Sequence, residues 1–391
     1  MTKVALAYSG SIDTTLCVHW LKEHHNLDVI ALSVDVGLRT DVMLLGDRAV
    51  KAGAASASIL DLREDFCKEF VSSALAANLQ ARGGDPHAIA LGRPIICRSL
   101  VALARENGAP FVAHGCKPEG DDIIRFENEL RNLDPKLKIL APLKEWTLVT
   151  PAQKMRYARE HNLPVDFDPQ DAEWSLDGNV WGTVGLLKSP DDTWQAANAE
   201  SYRIVKPLSA TPDEPETITI EFAKGVPVGL NGQKMSLLDI ILDLNERGGR
   251  HGVGHLDLVY HKISNTKSRK VIECPAANIL LKAHMALEEI VHDRETISFN
   301  RLASERFQRL VAQGYWFSRL RESLDTYFRD MQANTTGDVR MTLFKGNAVV
   351  EGRRSPHSLF PSGRQAGVGQ LHLRPASPAS LRRRHNGPSQ G

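Results

Sequence analysis

The chain has 391 residues, 42% hydrophobic and 24% charged, with a formal net charge of +1. Such a length holds two domains, or one with a large appendage, and the composition is that of an ordinary soluble globular protein. The near-neutral balance gives no reason to expect nucleic acid or an anionic membrane as a partner, and no apolar run is long enough for a transmembrane helix.

From the N-terminus, Met1-Thr2-Lys3 leads directly into a strand predicted over 4–8, which leaves no room for a signal peptide. The strand runs into Ser9-Gly10-Ser11-Ile12-Asp13-Thr14-Thr15, a small-residue turn with hydroxyls and an acid, and a helix is predicted over 14–24. Such a turn leaves N–H groups unpaired at a helix N-terminus, where the dipole favours anions. Ser9, Thr14 and Thr15 add hydroxyl donors. Asp13 can hold Mg²⁺ beside a polyphosphate or can cap the helix. No G-x-x-x-x-G-K-[ST] occurs in the chain, so this is not a Walker A loop. Further strands are predicted over 29–34, 58–60, 111–114 and 138–141, and helices over 44–52, 65–79 and 94–106. This alternation is that of a parallel α/β sheet, whose ligands gather beyond the carboxyl ends of the strands. Residues 9–15, 35–37 and 115–125 then border one crevice.

Polar loops at 164–169 and 189–192 mark the passage to a second domain, with strands expected at 217–222 and 256–259 and a helix at 236–247. From 283 to 328 the apolar spacing of Leu287, Ile290, Val291, Phe307, Leu310 and Val311 suits long amphipathic helices for domain or subunit packing. Residues 361–391 carry no acidic side chain and an excess of Gly, Pro, Ser and Arg, which reads as a disordered or aberrant tail. Cys17, Cys67, Cys97, Cys116 and Cys274 are odd in number and lack a C-x-x-C, as reduced thiols of a cytoplasmic protein would.

The opening turn resembles the pyrophosphate loop S-G-G-x-D-[ST]-[ST] of the N-type ATP pyrophosphatases. After it come Ala113-His114-Gly115-Cys116, Gly120-Asp121-Asp122-Ile123-Ile124-Arg125-Phe126-Glu127, and Trp174-Ser175-Leu176-Asp177-Gly178-Asn179-Val180-Trp181-Gly182. Gly249-Arg250-His251-Gly252-Val253-Gly254, Lys267-Ser268-Arg269 and Phe344-Lys345-Gly346-Asn347 follow. In this order and spacing the segments resemble the argininosuccinate synthase family from Lys3 to Phe360. The resemblance implies an α/β fold: a parallel-sheet N-type ATP pyrophosphatase (adenine nucleotide α-hydrolase-like) domain over 1–165, then an α+β synthetase and multimerisation domain over 166–360. It also implies a ligase that joins aspartate to citrulline, with Mg²⁺ as cofactor and ATP cleaved to AMP and pyrophosphate. Citrulline's ureido oxygen attacks the α-phosphorus, and the amine of aspartate then displaces AMP. No protein nucleophile is needed, so positioning and charge neutralisation carry the catalysis. A homo-oligomer is expected. The family's usual tetramer is left open, because the tail departs from the segment that embraces a neighbouring subunit; a frameshifted or truncated end is one reading of it.

Carried over by position, Ala7, Tyr8, Ser9, Gly10, Ser11, Ile12, Asp13, Thr14 and Thr15 hold the phosphates, with Asp13 as metal ligand, and Val34 and Gly115 border the nucleotide. Asp122 orients the aspartate amine. Arg125 grips a substrate carboxylate or, alternatively, forms an ion pair with Glu127 or Glu129; Ser175 is a further acceptor contact. Asp13, Asp122 and Arg125 are the candidate catalytic residues. Elsewhere the pattern breaks. Ser11 replaces the second glycine, which costs about 1–2 kcal/mol if the position is left-handed or adds a phosphate donor. Lys117 and Asp121 replace a threonine and an asparagine, and are either new substrate contacts or solvated charges. Asp85-Pro86-His87-Ala88-Ile89 replaces Tyr-Pro-Leu-Gly-Thr; Val184 replaces a serine, Tyr260 a glutamate and Ile272 a tyrosine. Arg93-Pro94 persists, with Pro94 read as opening a helix, and His114 is either a core histidine or a ligand. Each lost partner of a buried polar substrate costs about 1–3 kcal/mol. Two readings therefore stand beside the citrulline ligase: a ligase for another acceptor, and a catalytically silent nucleotide-binding paralogue.

Overall fold

Strand β1 (Thr2–Ala7) is the middle strand of a parallel sheet in the computed structural model, which describes residues 1–37, 42–165, 174–187, 193–196 and 202–360. On one side lie β2 (Leu27–Asp35) and β3 (Ser56–Asp61), on the other β4 (Phe111–His114) and β5 (Lys138–Leu140), in the order β3-β2-β1-β4-β5. These are the five strands expected from the sequence. The polar loop expected at 189–192 and the tail from 361 lie outside the described residues, as does most of the loop at 164–169.

The longer helices of this half are α1 (Ile12–His25), α2 (Val42–Lys51), α3 (63–76, with a π-helical middle over Phe66–Val71), α4 (Ala88–Glu106), α5 (Asp121–Leu133) and α6 (Pro151–Glu160), with a single turn at Pro142–Glu145. Both sheet faces are covered, which is why the strands read as unbroken apolar runs. Val4 and Leu6 join Cys17, Val18, Leu21 and Leu45 of α1 and α2 in one cluster. Ala5 and Leu32, on the opposite face, join Leu100, Val101, Phe126 and Leu130 of α4 and α5 in another. The chain leaves β1 for β2 on one side and later returns to β4 on the other. Their carboxyl ends therefore part at the switch point where open α/β sheets take ligands.

Pro94 does not open a helix. It lies inside α4, which starts earlier, at Ala88. Asp85 Oδ1 accepts the His87 N–H at 2.9 Å and His87 adopts φ 52°, so the chain turns into the helix before Arg93-Pro94 is reached. Proline then removes one helical hydrogen bond from the interior, which costs about 3 kcal/mol on its own.

The remaining strands are β6 (Trp174–Asn179), β7 (Gly182–Leu187), β8 (Glu216–Ala223), β9 (Val226–Leu230), β10 (Gln233–Lys234), β11 (His255–His261), β12 (Lys267–Glu273), β13 (Gly337–Phe344) and β14 (Asn347–Arg354). They form two antiparallel sheets, β11-β12-β7-β6 and β10-β9-β8-β13-β14. With them go α7 (Leu237–Arg250), α8 (Pro275–Val291), α9 (Arg294–Ala312) and α10 (Arg319–Met331). The long helical stretch is divided by caps. Asp293 accepts the Thr296 N–H at 2.8 Å, Ser318 accepts that of Arg321 at 3.4 Å, and Gly314 between them takes a left-handed φ of 77°.

Side chains of the first half complete the core of the second. Phe66 and Phe70 of α3 lie in one cluster with Phe307, Trp316 and Phe328, and the rings of Phe70 and Trp316 are 4.7 Å apart. Helix α5 docks against the α9–α10 corner. A Cβ on Gly314 would fall 2.5 Å from Arg125 Cα, so only glycine lets the backbones meet. Buried Glu129 accepts the Trp316 N–H at 2.8 Å; burial raises its pKa to about 7, against the pull of the Trp316 and Phe317 N–H groups. Among the described residues, no helix is long and apolar enough to cross a membrane.

Candidate active site

The chain after β1 bends at Gly10, whose φ of 74° is left-handed. Ser11 is not left-handed. Its φ of −67° and ψ of 162° are extended, and its side chain caps α1 by accepting the Thr14 N–H at 3.4 Å. Two sequence-level alternatives fall with this geometry: Ser11 carries no left-handed strain, and Asp13 is not the N-cap but lies in the first turn. Ser11→Gly is accordingly expected to lower stability by less than about 0.5 kcal/mol, since glycine caps nearly as well. Stabilisation by 1 kcal/mol or more in urea unfolding would show that Ser11 is strained after all.

Three hydroxyls close on one another above the turn. Ser9 Oγ donates to Ser11 Oγ at 3.0 Å, and Thr14 Oγ1 lies 3.2 Å from both. Ser9 and Ser11 are exposed and Gly10 is buried, so the hydroxyls stand at the surface of the switch point. Below them Tyr8 Oη lies 3.0 Å from Thr15 Oγ1, and Ser33 Oγ donates to the Tyr8 carbonyl at 2.9 Å. Arg48 Nη1 donates to the Gly10 carbonyl at 3.3 Å. Helix-start N–H groups with three hydroxyls form a donor set for an anion of phosphate size. The Asp13 carboxylate beside them is buried and accepts from Lys154 Nζ at 2.5 Å. One carboxylate next to phosphate oxygens suits Mg²⁺, which keeps most of its water.

Gly115, after β4, closes the other side of the crevice. A Cβ there would meet Thr14 Cγ2 at 2.8 Å, so glycine lets this loop touch the hydroxyl turn. His114 is fully buried, its Nδ1 accepts the Cys116 N–H at 3.3 Å, and burial lowers its pKa to about 4. It is thus a neutral core histidine that shapes the loop. Val34 is half-buried and packs against two core clusters.

Beyond Gly115 lies a chain of ion pairs. Asp122 accepts from Arg93 Nη2 and from Arg125 Nη1, each at 2.7 Å, and Arg93 also pairs with Asp177 of β6. Arg125 Nε donates to the Ala312 carbonyl at 2.8 Å, and its Nη2 lies 3.5 Å from Asp121 Oδ2. Arg125 therefore pairs with neither Glu127 nor Glu129: Glu127 takes Arg131 and Lys144, and Glu129 takes the α10 entry. Asp121 Oδ1 accepts the Ile263 N–H at 2.7 Å, tying the β11–β12 hairpin to this loop. Lys117 is exposed. Burial alone would raise the pKa of Asp122, but Arg93 and Arg125 outweigh it and hold the carboxyl well below the ordinary range.

The positions that break the family pattern also meet here. Val184 and Ile272 are opposed across β7 and β12, both buried in the main core cluster. Lys270 Nζ donates to buried Asp85 at 2.5 Å and sits 4.3 Å from the centre of the Tyr260 ring. Ser175 lies on β6 opposite Leu186; its side chain is outside the described residues. Of the groups that build the site, Lys154, Asp177 and Lys270 are not singled out by the sequence, and Arg93 is noted there only as a retained position. Their partners lie 141, 84, 185 and 29 residues away, so no local pattern announces them.

A family model described as arginosuccinate synthase N-terminal HUP domain matches residues 3–164, and one described as arginosuccinate synthase C-terminal domain matches residues 174–366. Argininosuccinate synthase of Bacillus pumilus is 41% identical over 358 residues, which cover 92% of this chain and 88% of that protein. That of Dehalococcoides mccartyi is 39% identical over 364 residues, with coverage of 92% and 88%.

Proposed function

The chain belongs to the argininosuccinate synthase family, an ATP-dependent carbon–nitrogen ligase type, and we propose that it joins the amine of aspartate to citrulline or a related acceptor. ATP is cleaved to AMP and pyrophosphate in this reading. The observation that carries it is the turn at the switch point, where left-handed Gly10, the hydroxyls of Ser9, Ser11 and Thr14, and the start of α1 face the loop of Gly115.

In this reading each residue has a role that the geometry supports. The hydroxyls give up their mutual bonds and donate to the terminal phosphates, which also meet the positive end of α1. Asp13 would hold Mg²⁺, which would supply charge neutralisation to the phosphates. Arg125 is held by Asp121 through its loosest contact, 3.5 Å, so a substrate carboxylate can replace Asp121 there. One carboxylate exchanges for another on a guanidinium, and little electrostatic energy is lost. Asp122 then faces the aspartate amine, and the acceptor oxygen attacks the α-phosphorus. We assign nucleotide binding to 1–165, which also carries Asp121, Asp122 and Arg125 of the substrate site, and the rest of the substrate site and self-association to 166–360, in a cytoplasmic homo-oligomer.

An acceptor other than citrulline is favoured by one observation: the Val184–Ile272 pair is apolar and buried where hydrogen-bonding groups would hold a ureido compound. The test is pyrophosphate release with MgATP and aspartate against a panel of ureido, amide and guanidino acceptors, with products identified by mass. Release that requires citrulline and yields argininosuccinate supports the family reaction. Release only with another acceptor redirects it, and ATP binding without any release means the chain is catalytically silent.

A further inference from the structure

We propose that Lys154 is a binding residue for the terminal phosphates of ATP, exchanging the Asp13 carboxylate for phosphate as Asp13 takes magnesium. The inference rests on the nucleotide reading above and adds to it a cation that the phosphate turn itself lacks. The turn contains no lysine, unlike a Walker A loop, and its donors are hydroxyls and N–H groups. Arg48 stands at the Gly10 carbonyl, and one such cation beside neutral donors leaves much of a triphosphate's charge unmatched.

Lys154 supplies that charge from the other side of the turn. Its Nζ is 2.5 Å from Asp13 Oδ1, and the two side chains are only 12% and 11% exposed. The helix that carries it is fixed at both ends. At the start of α6, Thr150 and Gln153 form a reciprocal capping box. Near its end, Tyr157 Oη donates to Glu23 Oε2 of α1 at 3.0 Å and lies 2.9 Å from His19 Nδ1. α6 is thus pinned along α1, the same helix whose N-terminus forms the phosphate turn. Nζ also lies 5.9 Å from the centre of the Trp146 ring, which flanks its stem. A lysine ammonium on a flexible four-carbon stem is a mobile point charge suited to phosphate oxygens. Its present partner is the acid assigned to magnesium, and a dication on Asp13 repels the ammonium toward the phosphates.

Calorimetric titration of the full chain with MgATP, magnesium pyrophosphate and AMP tests this. In Lys154→Met, affinity for MgATP and for pyrophosphate should fall about tenfold, the scale of one charge-assisted contact, while AMP affinity stays within about twofold of wild type. Lys154→Arg, which keeps the charge should the methionine variant fold poorly, should restore most of the MgATP and pyrophosphate affinity. Equal losses for all three ligands, or unchanged MgATP affinity in Lys154→Met, would overturn the role of Lys154 and leave the nucleotide site standing. Failure of the wild-type chain to bind MgATP would instead remove the site, and this inference with it.

Discussion

Replacing Asp122 by alanine is expected to destabilise the protein by about 3–5 kcal/mol, because it leaves two largely buried guanidinium groups without their shared carboxylate. Arg93 and Arg125 are only 13% and 14% exposed, so water offers little relief. Asp177 and Asp121 remain as partial partners, which places the effect toward the lower end. The loss carries a pH signature. Asp122 is held well below its ordinary value of 3.8 by the two arginines, against burial. A depressed acid stabilises the folded chain above its unfolded pKa, and this contribution is lost as the pH falls below that value. Urea unfolding of wild type and Asp122→Ala should therefore differ most above pH 5, and the gap should begin to close as the pH drops through 4 and 3. A gap that is small at pH 7, or that does not shrink in acid, would mean the arginines are already satisfied elsewhere.

The second large effect is expected from Gly115→Ala. The new methyl carbon would sit 2.8 Å from Thr14 Cγ2 and 3.5 Å from Thr14 N and Cα. Thr14 is β-branched, lies within α1, and holds its hydroxyl against Ser9 and Ser11. It cannot turn away without breaking the hydroxyl triangle. Overpacking of this kind costs about 1–3 kcal/mol. Affinity for ATP should fall tenfold or more, since the donors no longer converge. Calorimetry together with urea unfolding separates the two effects. Unaltered ATP binding in a chain that unfolds earlier would place the nucleotide away from this loop.

Much of the fold is legible in the sequence because the parallel sheet is buried on both faces. Val4, Ala5 and Leu6, or Val29 to Leu32, need no alternation and stand out as apolar runs. The hydroxyl turn after β1 is legible for a related reason, as small residues and hydroxyls follow at once. The helix α5 is less visible. Its buried apolar residues are Ile123, Phe126 and Leu130, set amid charges, and its N-cap is a glycine, which has no side chain to cap with. α6 has a stronger signal, the Thr150-Pro151-x-Gln153 start, which a capping-box search would find. The start of α4 escapes because Arg-Pro looks like a first turn, while the true start depends on Asp85 holding the His87 N–H.

The candidate site divides in the same way. Ser9 to Thr15 form one local unit and are readable together. The state of Arg125 is not, since its partners are set by the helix turn to Asp122 and by Ala312, 187 residues away. Lys154 reaches Asp13 only because α6 is pinned along α1 by Tyr157, and Val184 faces Ile272 only through sheet register. Long-range pairings of this kind decide the geometry of this part of the candidate site.

The most direct measurement of the central claim is titration of the intact protein with ATP in magnesium buffer, beside Gly115→Ala. A turn at the end of β1 that cradles the phosphates predicts saturable binding of one ATP per chain, competition by inorganic pyrophosphate, and marked weakening in the variant. Folded wild-type protein that takes up no ATP, or that binds it with no competition from pyrophosphate, would contradict it.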